Sequence, residues 1–248
     1  MKSVLYGGLV SGKAIPRPRN LLVEVTSFCN LRCIMCPKTN HSVQTEESKV
    51  MSWDVYEKLI PLFPNLDAMD LTGVWGEAFL HPAVYFRMLE RAKQDGVSVC
   101  TTSNGTLISD EIAEQLVDKG LDRLIVSLDA ATGETYKKIR PPGRHEDVLN
   151  GLRRIREWKA KRGVDHPAVE IAFVGMRSNI EEFPDVVRLA SELGAWRVHL
   201  QAMGEYPGLE NESVAAHHKS IGQRMMEEAR KIADERGEAR EEEAHPGA

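Results

Sequence analysis

Three cysteines near the start of the chain have the spacing of metal-binding thiolates. Cys29, Cys33 and Cys36 fall within eight residues and form a Cys-x3-Cys-x2-Cys pattern. Fe–S clusters usually take four cysteines, so three thiolates hold three irons of a cubane and leave the fourth iron to an external ligand. The pattern therefore predicts a [4Fe–4S] cluster whose open iron suits a chelating amino acid group.

Two other metal or redox interpretations use the same residues. Zinc could bind these cysteines with a histidine such as His41, although tetrahedral zinc sites normally pair Cys-x2-Cys elements. Cys33 and Cys36 could form a redox dithiol, which would leave Cys29 without a role. Bunched cysteines in a chain of 248 residues are also unlike the spread-out disulfides of a small secreted domain. The spacing favours the Fe–S cluster.

Six short runs rich in Val, Ile and Leu predict β-strands, and the first ends just before the cysteine pattern. They mostly lack alternation with polar residues, as expected of parallel strands that are covered on both faces. The predicted strands are residues 21–26, 68–72, 98–102, 123–127, 169–174 and 197–200.

Helical patterns lie between and after these strands. Ser52 and Ser109 are placed as N-caps, Pro82 suits a first turn, and Gly120 and Gly194 suit C-terminal caps. The predicted helices are residues 53–63, 83–95, 109–119, 145–162, 180–193 and 214–236.

Strands that alternate with helices predict an α/β fold of βα units with right-handed crossovers. Eight such units close a barrel, and six leave it open on one side. We therefore expect an open, partial (β/α)6 TIM-like barrel with a C-terminal helix. Its predicted parts are a lead-in at 1–20, the barrel at 21–204, a linker and helix at 205–238, and a disordered tail at 239–248.

The bulk composition argues against several classes of protein. Acidic residues outnumber basic ones 37 to 32, for a net charge of −5, which argues against a nucleic-acid-binding surface. No run of about 18 apolar residues could span a bilayer, and residues 1–20 lack the apolar core of a secretory signal. We expect a cytoplasmic protein that binds neither nucleic acid nor membranes.

Separated motifs over residues 21–201 together resemble the catalytic domain of the radical S-adenosylmethionine (SAM) superfamily. They are the cysteine pattern, residues 73–77 (GVWGE), which are similar to the family's GGE element, and residues 126–129 (VSLD) after the fourth strand. The chain resembles in particular the Fe–S oxidoreductases of the SPASM or twitch type, but it lacks their cysteine-rich C-terminal extension.

This resemblance implies a SAM site at the carboxyl ends of the strands. Glu77 and nearby backbone would bind the amino group of SAM, and Arg140 would pair with its carboxylate. Val174, Met176 and Leu200 would flank the adenine. The full implied set is Gly76, Glu77, Ser103, Asn104, Ser127, Asp129, Arg140, Val174, Met176 and Leu200.

The resemblance also implies an activity. An electron from a reducing partner such as flavodoxin or ferredoxin would cleave SAM at the [4Fe–4S] cluster to methionine and a 5′-deoxyadenosyl radical. That radical would remove a hydrogen atom from the substrate. We expect the substrate to be a small molecule such as a sugar, a nucleoside or a natural-product intermediate.

The fourth cysteine, Cys100, ends a predicted strand far from the other three. It is either an inert buried cysteine or a thiol that donates a hydrogen atom to the substrate radical. No cysteine follows Cys100, so we expect no auxiliary cluster on thiolates of this polypeptide. We accordingly expect a redox-neutral or reductive outcome in place of a net oxidation.

Two alternative functions remain open. Modification of a peptide ranks second, because the 20 residues before the first strand are too few for a winged peptide-binding domain. A zinc-binding interaction module without enzymatic activity ranks third.

Overall fold

The computed structural model describes residues 18–39 and 49–235. The predicted tail at 239–248, most of the predicted lead-in and His41 lie outside these residues. Within the described ranges, no helix is both long enough and apolar enough to cross a membrane.

Six parallel strands form one open sheet in which each strand pairs with the next one along the chain. This order, with helices after the strands, confirms the predicted open, partial (β/α)6 barrel. The observed strand ends lie within two residues of the predicted ones. The strands are β1 (Asn20–Glu24), β2 (Ala68–Thr72), β3 (Ser98–Ser103), β4 (Arg123–Ser127), β5 (Ala168–Gly175) and β6 (Arg197–Ala202).

The helices pack on the outside of this sheet, and the predicted C-terminal helix is present. Its predicted range is interrupted at His218, where a short helix ends and a long one begins. The α-helices of the described residues are α1 (Trp53–Glu57), α2 (Pro82–Gln94), α3 (Asp110–Asp118), α4 (Gly133–Ile139), α5 (His145–Arg162), α6 (Phe183–Glu192), α7 (Val214–His217) and α8 (Lys219–Glu235).

Three further helical segments differ from the expectation, and one of them is the helix predicted at 180–193, which begins as a 3-10 helix, Ile180–Glu182. The predicted helix at 53–63 is wrong in its second half, because α1 ends at Glu57 and a 3-10 helix, Ile60–Asn65, follows. Pro61 and Pro64 lack the N–H that an α-helix needs in its interior, so the chain adopts the tighter helix. The sequence pattern did not predict α4.

Alternate residues of each strand face opposite sides of the sheet. The outer side meets the helices: Thr101 of β3 and Tyr85 of α2 share a 2.7 Å hydrogen bond between their hydroxyls. Phe173 of β5 packs on Phe183 of α6 with ring centroids 5.1 Å apart. The inner side is largely polar, with Asp70, Thr72, Cys100, Thr102, Arg123, Ser127, Glu170, His199 and Gln201.

Ser109→Ala is expected to lower the free energy of unfolding by about 1 kcal/mol. The Ser109 hydroxyl accepts a 3.2 Å hydrogen bond from the Ile112 N–H and so caps α3. Ser52→Ala is the matched control, because Ser52 precedes α1 without a side-chain capping hydrogen bond. Urea denaturation measures both variants, and equal losses would contradict the assigned cap.

Candidate functional site

The three cysteines lie on a loop at the carboxyl edge of the sheet, shortly after β1. This cysteine loop, residues 27–38, contains neither α-helix nor strand. The Cys29, Cys33 and Cys36 side chains are all half-buried. Because few backbone hydrogen bonds lie within the loop, its shape depends on the loops around it.

The loop after β2 packs against the start of the cysteine loop. The Glu77 N–H donates a 2.7 Å hydrogen bond to the Phe28 carbonyl. A Cβ at Gly76 would lie 2.1 Å from the Thr26 carbonyl oxygen, which no side chain tolerates. Glycine at this position therefore lets two loops approach each other. Its implied contact with SAM stays a prediction.

The loop after β3 holds the residue that follows Cys29. Asn104 Nδ2 donates to Asn30 Oδ1 at 2.9 Å, and Asn30 Nδ2 donates to Thr106 Oγ1 at 2.9 Å. The implied SAM residue Asn104 thus directs its side chain to the cysteine loop. Asn30 was not among the predicted site residues, and its only sequence signal is its place beside a cysteine.

The segment that follows α4 holds the middle of the cysteine loop. The Arg32 N–H donates to the Pro141 carbonyl at 2.6 Å, and the Ile34 N–H donates to the Ile139 carbonyl at 3.0 Å. These two backbone hydrogen bonds lie on either side of Cys33 in the sequence. They fix that cysteine relative to Arg140, which lies between the two acceptors in sequence.

Arg140 lies between Asp129 and Cys33. Its Nε donates to Asp129 Oδ2 at 2.5 Å, and its Nη1 donates to Cys33 Sγ at 3.6 Å. Asp129 Oδ1 accepts a 2.7 Å hydrogen bond from the Val174 N–H. Both members of the Arg140–Asp129 ion pair are buried. The pairing of Arg140 with the SAM carboxylate, which the resemblance implies, stays a prediction.

Two cations lie near the cysteine sulfurs. Burial raises the pKa of the Cys33 thiol to about 11, and the Arg140 guanidinium acts in the opposite direction. Burial likewise raises the pKa of Cys29, where Lys38 acts to lower it. Burial acts to lower the pKa of Arg140. The neighbouring Asp129 carboxylate has the opposite effect, and the pKa of Arg140 is raised overall. Both cations act to lower the pKa of the neighbouring thiol, although burial outweighs them at Cys29 and at Cys33.

Glu77 organises the strand ends from a fully buried position, with 1% of its surface exposed. It accepts hydrogen bonds from the Phe79 N–H at 3.2 Å, the Ser103 hydroxyl at 2.8 Å and the Asn104 N–H at 2.7 Å. Burial raises the pKa of its carboxyl group, and these donors act against the rise. A carboxylate has about four acceptor positions, so one is left for the amino group that the resemblance implies.

The three residues implied to flank adenine lie in different surroundings. Val174 is half-buried on the inner side of β5, and Met176 is fully buried against Met35 of the cysteine loop. Leu200 stands beside Phe173 in the register and packs on the outer core. The implied contact of Leu200 with adenine is not supported, because strand alternation turns its side chain away from the inner side.

Cys100 and Ser127 both belong to the inner side. Ser127 is the half-buried last residue of β4. Cys100 is 8% exposed and accepts a 3.3 Å hydrogen bond from Arg123 Nε. It precedes Ser103, the last residue of β3, by three positions, or about 10 Å along the strand. Cys100 is therefore separate from the cysteine loop.

Sequence reasoning missed Asn179, which is buried beyond the end of β5. Its Nδ2 donates to the Asp129 carbonyl at 2.9 Å and to the Val174 carbonyl at 3.0 Å. Its Oδ1 accepts from the Met176 N–H at 2.7 Å. Asn179 thus joins the ends of β4 and β5 and supports Asp129. An asparagine in a turn is the only signal for it in the sequence.

The donor set fits a cubane cluster better than a single ion. Across residues 18–39 and 49–235, no three His, Cys, Asp or Glu side chains are arranged to hold one metal ion. A zinc ion needs ligands that converge on one point, and His41 of the zinc interpretation lies outside the described residues. A cubane binds each thiolate through a different iron. Three half-buried thiols with cations nearby fit that group.

Comparisons with known proteins point to one family. Residues 23–190 match a family model described as the radical SAM superfamily. The chain is 28% identical over 178 residues to a probable GTP 3′,8-cyclase of Methanocaldococcus jannaschii, across 71% of this chain and 56% of that protein. It is 31% identical over 184 residues to an AdoMet-dependent heme synthase of Methanosarcina barkeri, across 74% and 50%. The chain thus spans about half the length of these relatives.

A solved structure shares the fold. Streptococcus suis SuiB bound to S-adenosylmethionine superimposes with a TM-score of 0.72 at 14% identity. The shared part covers 95% of this chain and 52% of that one. At this identity the likeness shows the partial barrel alone.

Gly76→Ala is expected to destabilise the fold by about 1–3 kcal/mol and to lower the iron retained after anaerobic reconstitution. The added Cβ would displace the cysteine loop through its contact with the Thr26 carbonyl. Gly133→Ala is the matched control, since the nearest atom to its Cβ is 3.9 Å away. Iron per chain and melting temperature are measured for both. Normal iron content in Gly76→Ala would show that the loop contact is dispensable.

Proposed function

The chain belongs to the radical SAM superfamily, and from that premise we propose that Cys29, Cys33 and Cys36 hold a [4Fe–4S] cluster beside a SAM site. When bound, these two cofactors supply a 5′-deoxyadenosyl radical that removes a hydrogen atom from a C–H bond of the substrate. The observation that carries the proposal is the set of three half-buried thiols at the carboxyl edge of an open parallel sheet.

The residues of this chain have two roles in that reaction. The first is to hold the three thiolates, which the neighbouring loops do through Gly76, Asn104 and the carbonyls of Ile139 and Pro141. The second is electrostatic: Arg140 lies against one sulfur and balances negative charge there.

We assign the SAM contacts to the inner ends of the strands. The remaining acceptor position of Glu77 suits the amino group, and Ser127 and Val174 are half-buried on the inner side at the ends of β4 and β5. Met176 acts indirectly, since it packs beneath the cysteine loop against Met35. This assignment leaves Leu200 out of the site.

We propose a small-molecule substrate. The inner side of the sheet is lined with polar and charged side chains, which suits a polar metabolite better than a packed core. The two sequence relatives described above are named for GTP cyclisation and heme synthesis, which supports a small molecule. Modification of a peptide stays a second prediction.

Cys100 is the group we propose as a hydrogen-atom donor. Its thiol lies on the inner side, and burial raises its pKa, so the S–H form persists at neutral pH. The S–H bond breaks homolytically and a C–H bond forms on the substrate radical. The reducing partner, a flavodoxin or ferredoxin, then returns one electron to the sulfur, and solvent returns the proton. The substrate carbon loses one hydrogen atom and gains another, so its oxidation state is unchanged, and the two electrons consumed go to SAM cleavage and to the thiyl sulfur.

Replacement of the three loop cysteines tests the metal assignment. Cys29→Ala, Cys33→Ala and Cys36→Ala are each expected to lose most of the iron and sulfide after anaerobic reconstitution and to form no 5′-deoxyadenosine with SAM and dithionite. Cys100→Ala is the control and should keep the parent iron content, because Cys100 lies on β3, away from the loop. A colourless parent protein that binds zinc would contradict the proposed function.

Replacement of Cys100 tests its role as donor. In D2O the parent is expected to place deuterium on the product carbon, because the buried thiol exchanges its proton with solvent between turnovers. Cys100→Ala should form 5′-deoxyadenosine but lose the product in which the substrate radical has regained a hydrogen atom. An unchanged product with unchanged deuterium content in Cys100→Ala would refute this role.

A further inference from the structure

A group of charged and polar side chains lies on the inner side of the sheet, apart from the cysteine loop. One residue from each of five successive strands, β2 to β6, contributes to it. We call this group the inner polar patch. It consists of Asp70, Cys100, Arg123, Glu170 and His199.

Arg123 connects the inner polar patch. Its Nε donates to Cys100 Sγ at 3.3 Å, and its Nη1 lies 3.5 Å from Glu170 Oε1. Glu170 Oε2 pairs with His199 Nε2. In the register, Asp70 stands next to Cys100, and Cys100 next to Arg123. The patch thus contains the two carboxylates of Asp70 and Glu170 and the guanidinium of Arg123.

Two carboxylate oxygens of the patch have no hydrogen-bond donor. Glu170 Oε1 and Asp70 Oδ1 are both shielded from solvent, and neither accepts a hydrogen bond from the described residues. Glu170 as a whole is 1% exposed. A buried acceptor without a donor costs free energy that a ligand donor would recover. Burial also raises the pKa of Asp70, with Arg123 acting to lower it.

We propose that the inner polar patch anchors the substrate and binds a protonated amino group through Glu170 Oε1 and Asp70 Oδ1. An ammonium group offers three donors and one positive charge. These donors match the two carboxylate oxygens that lack a hydrogen bond. The proposal rests on the proposed function and adds the substrate class, an amine.

The position of the patch also sets a length for the substrate. Cys100 lies three positions before Ser103 at the end of β3, which is about 10 Å along the strand. The SAM site that we assign lies at the strand ends. The reacting carbon of the substrate therefore lies between the anchor of its amino group and the strand ends, within an interval of about 10 Å, and the anchor fixes which carbon is presented.

Two probes of similar length and opposite charge test this site without knowledge of the natural substrate. Hexylammonium and hexanoate are each titrated into protein loaded with the cluster and SAM, with binding followed by ligand-observed NMR. Crystals soaked in each probe locate it. We expect hexylammonium to bind about fivefold more tightly or better, with its nitrogen beside Glu170 and Asp70.

Two isosteric variants remove one acceptor charge each. Glu170→Gln and Asp70→Asn are both expected to weaken hexylammonium binding about tenfold. Glu134→Gln makes the same chemical change on the exposed surface of α4 and should leave the affinity unchanged. Circular dichroism and melting temperature verify folding, and each variant alone suffices if the other does not fold.

Three outcomes would overturn the anchor site: hexanoate bound at Arg123, equal affinities for the two probes, or unchanged hexylammonium affinity in the folded variants. Iron content and 5′-deoxyadenosine formation are measured on the same samples. A protein that forms the cluster and cleaves SAM without an ammonium preference refutes only the anchor site. A protein that forms no cluster refutes the proposed function.

Discussion

The shape of the cysteine loop is imposed by its neighbours. The loop has no helix or strand of its own, and three segments after β2, β3 and α4 hold its start, its Asn30 side chain and its middle. A parallel sheet makes this arrangement available, because the carboxyl ends of adjacent strands meet at one edge. The packing that shapes the loop also brings Glu77, Asp129 and Arg140 close to the thiols.

The buried Arg140–Asp129 pair shows how the fold places charge beside a sulfur. Removing two charges from water is costly, and here the Val174 N–H supplies a further hydrogen bond to Asp129. Asn179 then binds the Asp129 carbonyl and fixes the backbone beneath it. The guanidinium is held in one orientation, with Nε and Nη2 on Asp129 and Nη1 directed at Cys33.

Strand alternation divides the sheet into an apolar outer side and a polar inner side. The apolar outer residues made the six strands predictable, but the expected apolar cover on both faces is wrong, because the inner side is largely polar. The helix boundaries were harder to predict where prolines interrupt the apolar periodicity. Pro61 and Pro64 convert the end of one predicted helix to a 3-10 helix. The short helix α4 has little apolar periodicity and is set by the Thr132 cap and packing of Tyr136 and Ile139.

The sequence by itself determined the three thiols, the six strands and the order of the motifs along them, since these depend on residue type and spacing. Only the tertiary structure decided which side chains meet. Arg140 and Cys33 are 107 positions apart, and Asn104 and Asn30 are 74 apart. Such contacts depend on the twist and register of the whole sheet, which no local pattern encodes. The same register turns Leu200 outward and gathers Arg123, Glu170 and His199 on the inner side.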